Sequence, residues 1–487
     1  MNKIASILTP AVNVNDLLLR TKPQQMVEMA KNAGLAINKI RDLVAYISVD
    51  SNCEIRWASS NLTTNGTGWG ASLVVVVYIN TKNGVATATC SIDAANIGQD
   101  EIVSLVNQAV AKAEILGCNV DAADLTPQKA FGNWDEDPFI TEASVFAPII
   151  SELGEMFDNS RLSDYTHAGY AEHNSVSVWV SSISGVSAQY VIPSGRIEFT
   201  ARSNDGCRST WLGKSTRSFT DLNVASISSS LQTRLEWQRH RLDLPAGKYT
   251  TVLPSGCVGD MVETMRGALN VRDAIEGNSF FASQTNQNKT MIGDRVVKSD
   301  ANLFSDPNFP GLEVPDIVVS LHDSATESVF DTGLAAGKTS WIDKGYLKSL
   351  DGTRSTSKAT GIARSEDCGN LILAIGEGKD SLEDMIADVE DGILCTSLWY
   401  IRDLDPEQLL VTGLTRDGVY RIKNGEVIGA TNNFRFNESA IGMLNRVRAA
   451  GATEITQVRE HAESVDAMAM PPLTVSDFNF SSVSEAN

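Results

Sequence analysis

Trp399-Tyr400-Ile401-Arg402, Leu410-Val411-Thr412-Gly413-Leu414-Thr415-Arg416-Asp417-Gly418 and Asn432-Asn433-Phe434-Arg435-Phe436-Asn437-Glu438-Ser439 mark one stretch whose patterning decides the C-terminal fold. Apolar and polar residues alternate on both sides of Asp417-Gly418 and of Asn424-Gly425. Alternation with a period of two places successive side chains on opposite faces of a strand. Each of the two dipeptides supplies the positive φ of a tight hairpin turn. The stretch therefore predicts an antiparallel meander with Arg402, Arg416 and Arg435 spaced along it.

Outward from this stretch, the C-terminal half shows many short strand patterns between Gly, Asn and Asp turns. Alternation alone leaves a barrel, a sandwich and a curled sheet open. Leu473 to Phe480, behind Pro471-Pro472, reads as one more strand. In the N-terminal half, Met26, Met29, Ala30, Ala33, Ile37, Ile40 and Val44 recur at helical spacing and predict an amphipathic helix from Pro23 to Tyr46. Strands are predicted near 54–58, 72–79 and 85–92, with Asn83-Gly84 as a hairpin turn. A helix over 100–115 follows, its acidic start suiting the helix dipole. Asn65-Gly66-Thr67-Gly68-Trp69-Gly70 has no helix behind it and reads as a strand connection, not a phosphate loop. Residues 118–134 read as a linker, with a helix near 144–157 after it. Strands are then expected at 175–181, 188–192 and 196–201, the last two split by a Pro193-Ser194-Gly195 turn, before a helix over 223–241. The expected fold class is α+β. It comprises an N-terminal antiparallel sheet with helices on one face (1–117), a second small α+β unit (118–222) and a strand-rich C-terminal domain (223–487).

Composition narrows the function. The chain has 487 residues, 42% hydrophobic and 21% charged, with a formal net charge of −20. Such an acidic surface repels phosphate backbones, and no run of Lys and Arg offsets it, so direct nucleic-acid binding is not expected. Met1 to Arg20 does not read as a signal peptide, and the longest apolar run, about Leu73 to Ile79, is far short of the roughly 18 residues of a membrane span. Seven scattered cysteines with no C-x-x-C pair fit reduced thiols and a cytoplasmic location.

The three segments quoted first resemble the TldD/PmbA family, and most closely its PmbA branch, also called TldE. Weaker similarity runs through most of the chain. The family is linked to metal-dependent peptidases and carries an older label, modulator of DNA gyrase. The resemblance implies that catalytic members carry H-E-x-x-x-H on a helix followed by Leu-Glu-Gly, two histidines holding zinc and the glutamate polarising water. Here the matching anchor is Ile275-Glu276-Gly277, on a helix expected from about Val258 to Ala274. The positions matched to His, Glu and His hold Ala268, Leu269 and Asp273. The family's third ligand is a cysteine close to the C-terminus; here the last cysteine is Cys395.

The resemblance thus implies a degenerate site with no zinc on this chain. It further implies a zinc-carrying TldD-like partner subunit and a shared chamber that admits unfolded or short peptides, for trimming leader peptides or degrading flexible antitoxins. The expected role is a non-catalytic subunit of such a peptidase. The alternatives are an autonomous peptidase with a relocated metal site, or a self-associating peptide-binding scaffold that forms homodimers. Lys358-Ala359-Thr360-Gly361-Ile362-Ala363-Arg364 is similar to a glycine-containing family segment and reads as a cleft loop or a hairpin connection. Arg364 joins Arg402, Arg416 and Arg435 as candidate cleft or peptide-binding residues.

Other chemistry is sparse. His167 and His173, with Asp164 and Glu172 nearby, form the best alternative metal cluster, because an even separation puts both on one side of a strand. Gly333-Leu334-Ala335-Ala336-Gly337-Lys338-Thr339 is one residue short of a phosphate loop. Cys257 opens the 258–274 helix, where the dipole favours a thiolate, although a free cysteine usually serves as a small buried hydrophobe.

Overall fold

The computed structural model describes residues 19–126, 131–378, 380–462 and 467–484. The N-terminal half runs α1 (Pro23–Leu35), β1 (Ile40–Ala58), β2 (Asn61–Thr81), β3 (Gly84–Asp93), α2 (Gln99–Leu116), α3 (Ala147–Arg161), β4 (Tyr165–Ser182), β5 (Ser187–Ser203), β6 (Ser209–Thr216) and α4 (Val224–Trp237). All six strands form one antiparallel sheet, in the order β3-β2-β1-β4-β5-β6. β1 pairs with β4 from Val44 opposite Ser182 to Trp57 opposite Gly169, so the two α+β units share a single sheet.

Alternation explains the layers. Leu43, Ala45, Ile47 and Val49 of β1 face the core under α1 and α2. Cys53, Ile55 and Trp57, on the same face, meet Phe157 of α3 and Leu231 of α4. The helices therefore cover one face of the sheet. On the other face, Val44, Val76, Tyr78 and Val180 pack against Ile317, Val329 and Phe330. The Tyr78 hydroxyl donates to the Val329 carbonyl at 2.7 Å, fastening the C-terminal half to this face.

Three local expectations change. The first helix stops at Leu35, and Ile40 and Val44 belong to β1. The β-branched and aromatic run Val44-Ala45-Tyr46-Ile47-Ser48-Val49 favours a strand, and pairing overrides the helical spacing. Asn65 to Gly70 lies inside β2, opposite Ile55 to Asp50 of β1. Pro193 is not in a turn but inside β5, opposite Ser175 of β4. β6 begins to pair only at Gly195, so Pro193 has an edge on its other side and its missing N–H costs no ladder bond.

The C-terminal half contains β7 (Gly247–Leu253), α5 (Ser255–Glu263), α6 (Val271–Glu276), β8 (Ala301–Ser305), β9 (Thr339–Asp343), β10 (Tyr346–Leu347), α7 (Arg354–Thr360), β11 (Leu371–Ile375), α8 (Leu382–Ala387), β12 (Asp391–Cys395), β13 (Leu398–Asp405), β14 (Leu410–Thr415), β15 (Val419–Lys423), β16 (Glu426–Ala430), β17 (Phe434–Ser439), α9 (Ala440–Leu444), β18 (Val447–Ala450), β19 (Glu454–Ile455), β20 (Met468–Met470) and β21 (Leu473–Val483). They build a mixed sheet, β10-β9-β8-β11-β20-β19, and a nine-stranded sheet, β13-β14-β17-β21-β7-β12-β15-β16, with β18 on β21. Val258, Met261 and Met265 fill the space between them with Trp341, Phe434, Phe436 and Phe478.

The central meander is only half as local as its sequence suggests. Asn424-Gly425, with φ of 50° and 79°, turns β15 into β16 as expected. Asp417-Gly418 also has positive φ, yet it joins strands that do not pair. β14 lies between β13 and β17, and β15 between β12 and β16. Five strand steps separate β14 from β15, about 24 Å across a flat sheet. Residues 416–418 can span only about 14 Å. The sheet must curl, and it does so into a half-barrel whose two sides are joined by this turn and by the still shorter β12–β13 link.

The helix expected over 258–274 is also interrupted. α5 ends at Glu263, a 3-10 turn spans Arg266–Ala268, and α6 restarts after Asn270. The Asn270 side chain accepts from the Asp273 N–H, making Asn270 an N-cap with extended backbone. A residue in that conformation cannot also continue a helix.

Candidate functional site

The broken α5–α6 segment forms one wall of a cavity of about 770 Å³. Glu263, Arg266, Asn270 and Asp273 line it from this side. Pro315, residues 317–320 and 324–328, together with Asp331, Asp351, Arg364, Glu366 and Asp367, close the others. Both lining arginines are paired with lining carboxylates. The Arg266 Nε donates to Asp367 at 2.5 Å, and its Nη1 lies 3.7 Å from Glu263. Arg364 pairs with Glu366 and lies 3.6 Å from Asp331, which also receives Arg354 at 2.7 Å. Asp351 accepts from the Trp341 indole at 2.8 Å. Burial pushes Glu263 and Asp351 up to about 7 each, against the opposing pull of Arg266. Among the described residues, no group of three His, Cys, Asp or Glu side chains converges as metal ligands.

A cleft of about 560 Å³ opens between β5–β6 and β13. Here β13 bulges, with a register shift between Trp399 and Arg402 and a φ of 53° at Tyr400. The bulge frees two N–H groups, and the Glu460 carboxylate accepts both, from Tyr400 at 2.7 Å and Ile401 at 3.1 Å. Glu460 also pairs with Arg402 at 2.7 Å, whose guanidinium lies over the Tyr400 ring. The 459–461 segment is held in turn by Asp260 of α5, which is 1% exposed. The backbone N–H groups of Arg459, Glu460 and His461 donate to it at 3.2, 3.0 and 3.3 Å. Burial raises Asp260 to about 7 despite these three donors.

Residues 246–482 match the family model described as PmbA/TldA metallopeptidase C-terminal domain. Residues 246–482 are thus a PmbA/TldD-family domain. No curated protein sequence matches it. Its fold is similar to the crystal structure of TldE from Thermococcus kodakarensis, with 14% identity, a TM-score of 0.70 and coverage of 93% of this chain and 98% of that one. A proposed modulator of DNA gyrase from Bacteroides thetaiotaomicron matches at 15% identity and TM-score 0.70, over 94% and 99% of the two chains. Another proposed gyrase modulator, from Thermotoga maritima, matches at 12% identity and TM-score 0.66, over 96% and 100%.

Within this PmbA/TldD-family domain, the three positions matched to H-E-x-x-x-H have separate structural duties. Ala268 packs against the core, and its carbonyl accepts from the Ser279 hydroxyl at 2.8 Å. Leu269 is 1% exposed inside that core. Only Asp273 reaches the cavity, where its carboxylate accepts from the Asn270 amide at 2.7 Å. His167 and His173 do share one side of β4, but six residues set them about 20 Å apart, too far to share a metal. His167 lies among Phe157, Tyr165 and Phe199, and burial drops it to about 4. His173 instead bonds Thr141 at 2.8 Å and the Arg217 carbonyl at 3.0 Å.

The four candidate arginines do not form one group. Arg364 faces the large cavity, Arg402 the cleft and Arg416 a third, smaller cavity. Arg435 lies outside all three, near Thr412. The segment before Arg364 is not a hairpin: 358–360 end α7, Gly361, at φ 75°, caps that helix, and 361–364 runs as a loop to the cavity. The glycine stretch at 333–339 leads into β9, with no helix after it. Cys257 is buried, and burial raises its thiol well above the ordinary range, overriding the helix dipole. Sequence reading passed over Asp260, Glu263, Arg266, Asp351, Arg459 and Glu460. None sits in a motif, and only Arg459-Glu460-His461, a charged triplet after an apolar residue, carried a local signal.

Proposed function

We propose that this chain is a non-catalytic, PmbA/TldE-like subunit of a heteromeric metallopeptidase that degrades or trims unfolded peptides, with zinc carried by a TldD-like partner. The supporting observation is the use made of the three matched positions. Leu269 is a core residue and Asp273 a first-turn residue bonded to the Asn270 cap, on a segment that breaks between them. The cavity beside them persists, but its two arginines, Arg266 and Arg364, are bound to carboxylates of its own lining. The chain would supply chamber wall and strand edges on which an extended peptide gains main-chain hydrogen bonds. Free thiols at all seven cysteines fit the proposed cytoplasmic location. Among the described residues, no helix is long and apolar enough to cross a membrane.

The test is zinc content and cleavage of an unstructured peptide, measured on the purified chain and again after mixing with a family member that carries H-E-x-x-x-H. The expected result is cleavage only in the mixture, with one zinc per heteromer. Stoichiometric zinc and cleavage by this chain alone would overturn the proposal. Retention of a homodimer after mixing, with no heteromer, would favour the self-associating scaffold.

A further inference from the structure

The third cavity, of about 290 Å³, reverses the charge of the molecule. Arg202, Arg241, Arg416 and Arg459 line it, and among the described residues Asp417 is the only lining carboxylate. The whole chain carries −20. These four arginines come from β5, the segment after α4, the β14–β15 turn and the 459–461 segment, so the patch exists only in the fold.

Their partners leave positive charge over. Asp417 is spent on Arg459 at 2.7 Å and on the Ser209 hydroxyl, while Arg416 reaches it only at 3.5 Å. Arg241 pairs with Asp243 at 2.8 Å. Arg202 donates to the Gly206 carbonyl at 3.2 Å, and among the described residues no carboxylate pairs with it. Arg459 is also fixed, lying 5.1 Å from the Trp211 ring and 4.9 Å from that of Trp399. A preset guanidinium loses little freedom on binding an oxyanion, and its planar fork matches carboxylate and phosphate oxygens. The small volume suits one such group and a few attached atoms.

We propose that this cavity is an oxyanion-binding site, taking a carboxylate or a phosphate group between Arg202 and Arg416 against the fixed Arg459. The Arg416-Asp417-Gly418 turn and Asn432-Asn433, both picked out in the sequence, serve as its walls. The site does not depend on the peptidase reading, because it needs neither zinc nor a partner.

The test uses isothermal titration at low salt, with tryptophan fluorescence as a second readout because Arg459 stacks on two indoles. The probes are inorganic phosphate, a short peptide with a free C-terminal carboxylate, and the same peptide amidated. Saturable binding of phosphate or of the free-acid peptide is expected. Arg202→Gln or Arg416→Gln should weaken it about tenfold or more, as losing a charge-assisted hydrogen bond does. Arg435→Gln, on the same stretch but outside the cavity, should leave it unchanged. Binding of phosphate alone identifies a phosphate site; binding of the free acid but not the amide identifies a carboxylate site. Both arginines are exposed, and thermal melts matching the parent protein are the control that the variants fold. Absence of saturable binding by every probe, or binding that survives the double variant, would overturn the proposal.

Discussion

Asp260→Ala tests how the α5 segment organises the cleft. The Asp260 carboxylate accepts three backbone N–H groups, from Arg459, Glu460 and His461. Its removal orphans all three, at about 1–3 kcal/mol each when water cannot reach them. The donors are half-buried, so water recovers part of this, and deleting a buried charge returns more. The net expected loss is about 2–4 kcal/mol, concentrated in the 459–461 segment. In native-state hydrogen exchange, amide protection there should fall by about 30-fold or more, while the β1–β4 ladder stays protected. Tryptophan emission should shift as well, since Arg459 lies against Trp211 and Trp399. Asp260→Asn keeps one acceptor oxygen and should cost less. It also removes a titration. Folding raises this carboxyl to about 7, so its stabilising contribution is complete below its unfolded value near 3.8 and is lost as pH rises through 7. The Asn variant should therefore show a flatter stability curve between pH 4 and 7. Exchange at 459–461 within about twofold of the parent protein in Asp260→Ala would refute the clamp.

Two further substitutions probe packing. His167→Phe fills an aromatic cage in which, among the described residues, both ring nitrogens lack partners, and should add about 1 kcal/mol at neutral pH by urea unfolding. Burial holds His167 near 4, so its contribution is present above 6.5 and lost as pH falls through 4; the Phe variant should accordingly unfold at lower pH on acid titration. Gly413→Ala sets a methyl group 2.4 Å from the Phe436 ring, which is fully buried, and should cost about 1–3 kcal/mol in the same urea assay.

Much of the fold was legible where a local pattern and its tertiary partner agree. α2 spans 99–116 against a predicted 100–115 because its apolar face and acidic start both say helix. The Asn424-Gly425 hairpin was equally readable, because its two strands pair with each other. Asp417-Gly418 was misleading for a physical reason. Positive φ specifies a chain reversal, not which strands lie beside each other afterwards, and curling of the sheet is a non-local property. The α5–α6 break was hidden in the same way. Arg266-Gly267-Ala268-Leu269 has no residue that forbids a helix, and it is the Asn270 cap that ends it from the far side. The positive cavity could not be seen at all. Arg202, Arg416 and Arg459 are each isolated in sequence, within an acidic chain.

Side-chain replacement is only part of the difference between this chain and the zinc-binding pattern it resembles. A ligand set on one helix needs continuous backbone through every ligand position. Here Ala268 closes a 3-10 turn, Leu269 leaves helical geometry with ψ of 43°, and Asp273 stands on the next helix. Histidines placed at 268 and 273 would project from two different axes, and a glutamate at 269 would bury a charge in the core. The segment is constrained from its other end too. Asp260 and Glu263 sit three residues apart on α5, one gripping the 459–461 backbone and the other facing the large cavity. A helix fixed at one end by a buried carboxylate and interrupted at the other by a capping asparagine is suited to holding walls in place. That is the physical content of the proposed role: the cavity survives because the same segment supports its wall and positions Arg459 and Glu460 around the cleft.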